Sequence, residues 1–295
     1  MNARSPDIAM ADGTARRAWT LRITSLWLLM PALGFLAIFF AYPLASIVLR
    51  SFDGGDSGLT LEHYSTFFSV PVYPRILWQT IEISLLTTGL CVLVGYPLAY
   101  VMANSAPTVR NAMLLMVMLP FMTSVLVRTY GWMVILRPTG LLNHVADLLG
   151  LPNVELLYNR PGMLIGLVYT MTPYVVLTLY SVMRGIDGRL VAVARSLGAS
   201  GWSAFWRIYF PLSLPGVAGA SLLVFILSSG FYITPRLMGG DRDQLLASII
   251  AYQVDVLLNF EFASAIAVIL LAITLVCFGI YARAVGLKQL LTSRT

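Results

Sequence analysis

The chain has 295 residues, 58% hydrophobic and only 11% charged, with a formal net charge of +6 and a mean hydropathy of +0.82. A soluble domain averages about 25% charged residues, so this chain cannot clothe a water-facing surface and reads as an integral membrane protein. Two histidines (His63, His144), two cysteines inside apolar runs (Cys91, Cys277) and a single lysine (Lys288) with no GxxxxGK around it give no metal cluster, disulfide framework or phosphate loop; an enzyme is not expected, nor a metal or cofactor held in this chain.

Taken in order, residues 1–22 are polar and Arg-bearing and read as a disordered tail. The charge-free run 23–49 follows, with Pro31 and Pro43 inside it. It exceeds the roughly 7–15 apolar residues of a secretory signal, so it reads as an uncleaved first span. Further charge-free runs cover 83–109, 111–127 (extending past Arg128 to 136), 161–183, 208–235 and 262–282. A spanning helix needs about 20 such residues. Six spans are therefore predicted near 26–48, 78–103, 112–136, 162–183, 214–235 and 263–283, with a tail over 286–295. The runs are continuous, where barrel strands alternate over about 10 residues, and backbone groups in lipid must be bonded within their own segment. The predicted fold is all-α, six transmembrane helices within one domain, 23–285.

Orientation follows the arginines. With the N-terminus inside, the cytoplasmic segments hold Arg4, Arg16, Arg17, Arg22, Arg110, Arg184, Arg189, Arg195, Arg207, Arg283, Lys288 and Arg294 against only Asp7, Asp12 and Asp187. The outer side holds Arg50, Arg75, Arg137, Arg160, Arg236 and Arg242 against Asp53, Asp56, Glu62, Asp147, Glu155, Asp241, Asp243, Asp255 and Glu261. Basic charge beside helix ends marks the cytoplasmic side, so both termini are inside. Dispersed among loops, that charge forms no stripe for nucleic acid. The outer acids read mostly as solvated loop residues, with a docking surface or a cation-attracting vestibule as the alternative.

Two charges fall within predicted spans: Glu82, near the outer end of the second, and Arg128, in the outer half of the third. Intramembrane charges are costly and find partners. The pair either lines a polar path or forms a structural ion pair, and Arg128 on such a path opposes a cationic cargo unless Glu82 neutralises it.

The longest cytoplasmic loop, 184–213, carries a two-part amphipathic pattern. Asp187 is placed to cap a short helix, Leu190, Ala194 and Leu197 share a face of it, Arg195 suits its C-terminal dipole, and Gly198 supplies a left-handed stop. A second aromatic turn with Trp202, Phe205, Trp206 and Ile208 is expected to end at Pro211 and Pro215. Such an element docks a partner or lies on the lipid interface.

These residues resemble a known family. Ala192-Val193-Ala194, Gly198 four residues on, Ile208 ten further and Phe210-Pro211 reproduce the spacing of the cytoplasmic "EAA" loop of type I ABC importer permeases, with alanine at 192 in place of the glutamate. Tyr96-Pro97-Leu98-Ala99-Tyr100, Pro120-Phe121, Arg128-Thr-Tyr130-Gly-Trp132 with Gly140-Leu-Leu-Asn143, and Phe231-Tyr232-Ile-Thr234-Pro235 ahead of Leu237-Met-Gly-Gly240 are similar to the spermidine/putrescine branch. The likeness covers roughly 26–285. It implies a multi-pass permease of the bacterial inner membrane, working with an ABC ATPase dimer, a second permease and a periplasmic substrate-binding protein. ATP and Mg belong to the partner ATPase. It implies that Asp187, Leu190, Ala192, Val193, Ala194, Leu197, Gly198, Ile208 and Pro211 seat on the ATPase, and it makes Glu82, Arg128, Tyr130, Trp132, Tyr232 and Thr234 candidates for the substrate path. The implied cargo is a polyamine; an opine or amino-acid derivative is the alternative. A secondary transporter would show repeated broken helices with midplane charges, and no convincing repeat is present.

Overall fold

The computed structural model describes residues 30–55 and 58–292. The predicted N-terminal tail lies outside them. The described part is helical: α1 (Met30–Arg50), α2 (Glu62–Ser69), α3 (Val72–Asn104), α4 (Pro107–Met122), α5 (Val125–Leu136), α6 (Leu141–Leu148), α7 (Arg160–Arg184), α8 (Gly188–Ser196), α9 (Gly201–Ser229), α10 (Ile233–Met238), α11 (Leu246–Asp255) and α12 (Phe260–Thr292). Five of these, α1, α3, α7, α9 and α12, are each long and apolar enough to cross a bilayer, and a bent pair makes the sixth candidate. α12 runs on to Thr292, so most of the predicted C-terminal tail is helix.

Three predicted spans differ in detail. The third, expected as one helix over 112–136, is broken: α4 ends at Met122, Thr123 and Ser124 are extended, and the chain turns by 100°. Pro120 lacks the N–H that would help carry the helix through this point. The fifth stops at Gly230 rather than 235. A continuous helix would press the Pro235 ring on the Phe231 carbonyl; restarting at Ile233 puts Pro235 in a first turn, where no N–H is required. At its other end the same span is longer than expected, because Pro211 and Pro215 do not interrupt α9. Residues Phe205–Tyr209 form a wide π turn directly ahead of Pro211. α1 repeats the arrangement, with a π turn over Ala37–Ala41 two residues before Pro43. The widened turn takes up the misfit between the proline ring and the preceding carbonyls, so the helix continues.

The core is the triangle α3–α7–α9. Cys91, Ala99 and Met102 of α3 meet Val175, Val176 and Leu179 of α7 and Ala220 and Val224 of α9. Between helices in lipid there is no water to expel, so close backbone packing does the work, and small residues allow it. A Cβ on Gly95 would stand 2.9 Å from Val175, and one on Gly216 2.9 Å from Val182. Hydroxyls join the same faces: Ser229 donates to Ser84 at 3.1 Å, and the Tyr96 and Ser213 hydroxyls lie 2.9 Å apart. At the outer end a second cluster, Phe67, Leu246, Phe262 and Ile266, ties α2 and α11 to α12.

Candidate functional site: the cytoplasmic element and the outer path

The cytoplasmic element is built by its caps. The Asp187 carboxylate accepts from Arg189 N–H at 2.9 Å and starts α8. At its end, Ala199 N–H bonds the Ala194 carbonyl (3.0 Å) and Gly198 N–H the Arg195 carbonyl (3.1 Å), with Gly198 at φ +91°. This is a Schellman stop, and its left-handed residue is one that glycine adopts without strain. Ser200 then caps α9, its hydroxyl accepting from Ser203 N–H at 3.2 Å.

The exposed apolar row on α8 is Leu190, Val193 and Leu197; Leu197 is 82% exposed. Ala194, expected on that row, is half-buried, and Ala192 is exposed. Trp202, 72% exposed, extends the surface onto α9, while Ile208 is half-buried and Pro211 exposed.

Behind this surface the aromatics clamp onto α3. Phe205 lies 5.4 Å (ring centroids) from Tyr100 and 6.2 Å from Tyr96, both edge-on, and Tyr209 lies 5.0 Å from Tyr100. Asn104 donates to the Tyr209 hydroxyl at 3.4 Å. Tyr100 belongs to a segment that carries the family resemblance, but neither it nor Asn104 is placed beside the cytoplasmic element by the sequence. Their signal was the spacing 96, 100, 104, one face of a helix at its cytoplasmic end.

On the outer side, α5, α7 and α10 converge. The Thr129 and Thr234 hydroxyls lie 3.2 Å apart and are buried. Gly166 lets α10 approach, since a Cβ there would stand 2.7 Å from Thr234 and 2.8 Å from Met238 Sδ. Trp132 meets Tyr169 edge-on at 5.3 Å, and both line an apolar cavity of about 630 Å³ bounded by α3, α4, α5 and α7. Tyr130 and Tyr232 are exposed and do not line it.

Glu82 and Arg128 are not partners. Glu82 Oε1 sits 2.6 Å from Arg160 Nη2, a close ion pair in which the N–H is not aligned as a hydrogen bond. Arg128 Nε is buried with no hydrogen-bond acceptor among the described residues. Arg160 was missed as a partner because it stands at the first position of α7, beyond the apolar run that defined the span.

Residues 95–286 match the family described as binding-protein-dependent transport system inner membrane component. The chain belongs to this family. It is a permease of a bacterial binding-protein-dependent ABC importer, a non-catalytic, multi-pass component of the inner membrane. Its relatives include the spermidine/putrescine transport system permease protein PotB of Haemophilus influenzae, 33% identical over 77% of this chain and 79% of that one. The PotB of Escherichia coli K12 is 30% identical over 87% of this chain and 96% of its own. The molybdenum transport system permease ModB of Mycobacterium tuberculosis is more distant, 26% identical over 73% and 77%. In fold the permease is similar to a chain of a bacterial alginate ABC transporter in complex with its periplasmic protein (TM-score 0.70, 19% identity, 92% and 95% of the two chains). It is also similar to one of the MetNI methionine ABC transporter (TM-score 0.55, 16% identity, 71% and 92%).

Proposed function

We propose that this permease passes a polyamine of the spermidine/putrescine class, with ATP and Mg held by a pair of ATPase subunits under α8 and a second permease packed beside it. The cargo reading is carried by the PotB relatives, 33% and 30% identical over most of the chain. The ATPase reading is supported by the exposed row Leu190, Val193, Leu197 and Trp202, a capped apolar surface on the cytoplasmic side that nothing among the described residues covers. With alanine at 192, seating on the ATPase rests on that apolar row rather than on a carboxylate.

In this mechanism, closure of the ATPase dimer on ATP displaces α8. The Schellman stop keeps α8 in fixed relation to α9, and the Phe205–Tyr100–Tyr209 clamp carries the displacement to α3 as well as along α9. The helices then shift about the packed Gly95 and Gly216 contacts, and the outer convergence at Thr129, Thr234 and Gly166 opens to receive cargo; hydrolysis reverses the movement.

One observation favours an amino-acid derivative or opine as cargo instead. Arg128 has no acid partner among the described residues because Glu82 is taken by Arg160, and a cargo carboxylate would supply one. The deciding experiment is uptake of labelled putrescine and spermidine by cells lacking this permease, with and without the gene restored. ATP-dependent uptake on restoration supports the polyamine. Equal uptake in both, with the protein present and co-purifying with an ATPase, rejects it and turns the search to amino-acid derivatives.

A further inference from the structure

On the outer face, the first turns of α3 and the loop between α10 and α11 enclose a cleft of about 430 Å³, lined by Val72, Arg75, Ile76, Gln79, Asp241 and Arg242 among others. Arg75 and Arg242 are both exposed, and neither guanidinium has a hydrogen bond or ion pair among the described residues. Asp241, also exposed, is the acid of the lining and pairs with neither.

The backbone that carries Arg242 is fixed against α3, the helix that carries Arg75. Gln79 Nε2 donates to the Arg242 carbonyl at 2.9 Å, and the next residue, Thr80, accepts from Leu246 N–H at 2.9 Å. Two consecutive side chains of α3 thus pin the loop at its middle and at its C-terminal end. Within it, Gly240 N–H bonds the Asp243 carboxylate at 3.2 Å and Asp243 N–H the Gly240 carbonyl at 2.9 Å. Arg75 also stands in the first turn of α3, where the helix dipole disfavours a cation. Its charge therefore brings the helix nothing, and because the loop backbone is already fixed, an external anion would have only the two arginine side chains to order on binding.

We propose that this cleft seats a carboxylate side chain of the periplasmic binding protein, with Arg75 and Arg242 gripping it from two sides. The proposal rests on the importer reading, because a family dependent on a binding protein must receive it on the outer face. Two guanidiniums against one unpaired Asp241 favour an acidic group over a basic one, and charge-assisted contacts of this kind set the register of docking.

The test uses the purified transporter complex in phosphatidylcholine nanodiscs and the binding protein that stimulates its ATPase. Arg75→Glu/Arg242→Glu should weaken binding-protein affinity by about tenfold or more at low salt and flatten its salt dependence. Basal ATPase without the binding protein should stay at the wild-type level, which shows the complex intact. Reversing one acidic residue on the binding protein's docking surface to arginine should restore binding to the double variant and weaken it to the wild type. Affinity within about twofold of wild type in the double variant overturns the proposal. So does unchanged affinity with loss of co-purifying phosphatidylglycerol, which would make the cleft a lipid headgroup site. If the wild-type complex shows no stimulation by any binding protein, the importer reading fails and takes the cleft with it. Stimulation and docking that survive the charge reversal defeat the cleft alone.

Discussion

Gly198 shows how a single residue is required by backbone conformation alone. Its φ is +91°, and a Cβ built there meets nothing within 4 Å. Any side chain fits in space, but a left-handed backbone costs an L-residue about 1–2 kcal/mol, and a β-branched residue is the worst placed to adopt it. Gly198→Val should therefore loosen the stop between α8 and α9, leaving the complex inserted and its basal ATPase present while uptake is lost. Gly198→Asn, which tolerates this conformation, should retain much of the uptake. Equal transport by the valine and asparagine variants would count against a coupling role for this turn. Gly95 is the opposite case, with ordinary backbone and no space: its Cβ would meet Val175 Cγ1 at 2.9 Å and Cβ at 3.3 Å. A branched neighbour on a packed helix cannot swing aside, so Gly95→Val should destabilise by about 1–3 kcal/mol, read as a lowered thermal midpoint of the purified protein. The Glu82–Arg160 pair joins α3 to the first turn of α7, and Glu82 falls within a membrane span. Glu82→Gln should lower the same thermal midpoint, because it leaves Arg160 without its acid.

At the scale of elements, the aromatic clamp is the feature that links the cytoplasmic surface to a span outside its own stretch of chain. Phe205→Ala would remove the ring that touches both Tyr96 and Tyr100, loosening the first turns of α9, and α8 with them, from α3 while α9 stays continuous. Uptake per ATP hydrolysed should fall severalfold, and Phe205→Tyr should restore it; a proportional fall in uptake and ATPase would indicate plain destabilisation. The helices themselves were legible in the sequence because an uninterrupted apolar run leaves lipid-facing backbone no alternative. Their breaks were not, since proline alone does not decide the outcome. Pro97, Pro173 and Pro215 remain inside helices, Pro120 precedes a 100° elbow, and Pro43 and Pro211 are accommodated by π turns. Which response occurs depends on the packing around the freed carbonyl, which a single sequence does not display. The caps of α8 were legible from Asp187 and Gly198, because capping chemistry is local. The partner of Glu82 was not, because Arg160 lies 78 positions away on a helix brought near only by the packing of α3 on α7.

Across the whole molecule, the placement of every functional region hangs on one fact, the side of the membrane on which α8 lies. The arginine bias assigns α8 to the cytoplasm and the 149–159 segment to the outside, and the geometry must satisfy both. α4, 16 residues long, rises about 24 Å at ~1.5 Å per residue, close to the roughly 30 Å of hydrocarbon. It can therefore carry the chain most of the way out before the elbow at Met122. α7, with 25 residues, brings the chain back with length to spare. Thiol labelling tests this directly in a protein whose Cys91 and Cys277 have been replaced by alanine. Asn153→Cys should react with a membrane-impermeant maleimide in intact spheroplasts. Ser196→Cys, exposed on α8, should react only after permeabilisation, and should be protected when the ATPase is bound. The reverse pattern would put α8 beyond the reach of any cytoplasmic ATPase and invert the roles assigned to both faces. Labelling of both positions from outside would leave the two ends of α7 on one face, so that α7 does not cross the membrane and the six-span arrangement fails.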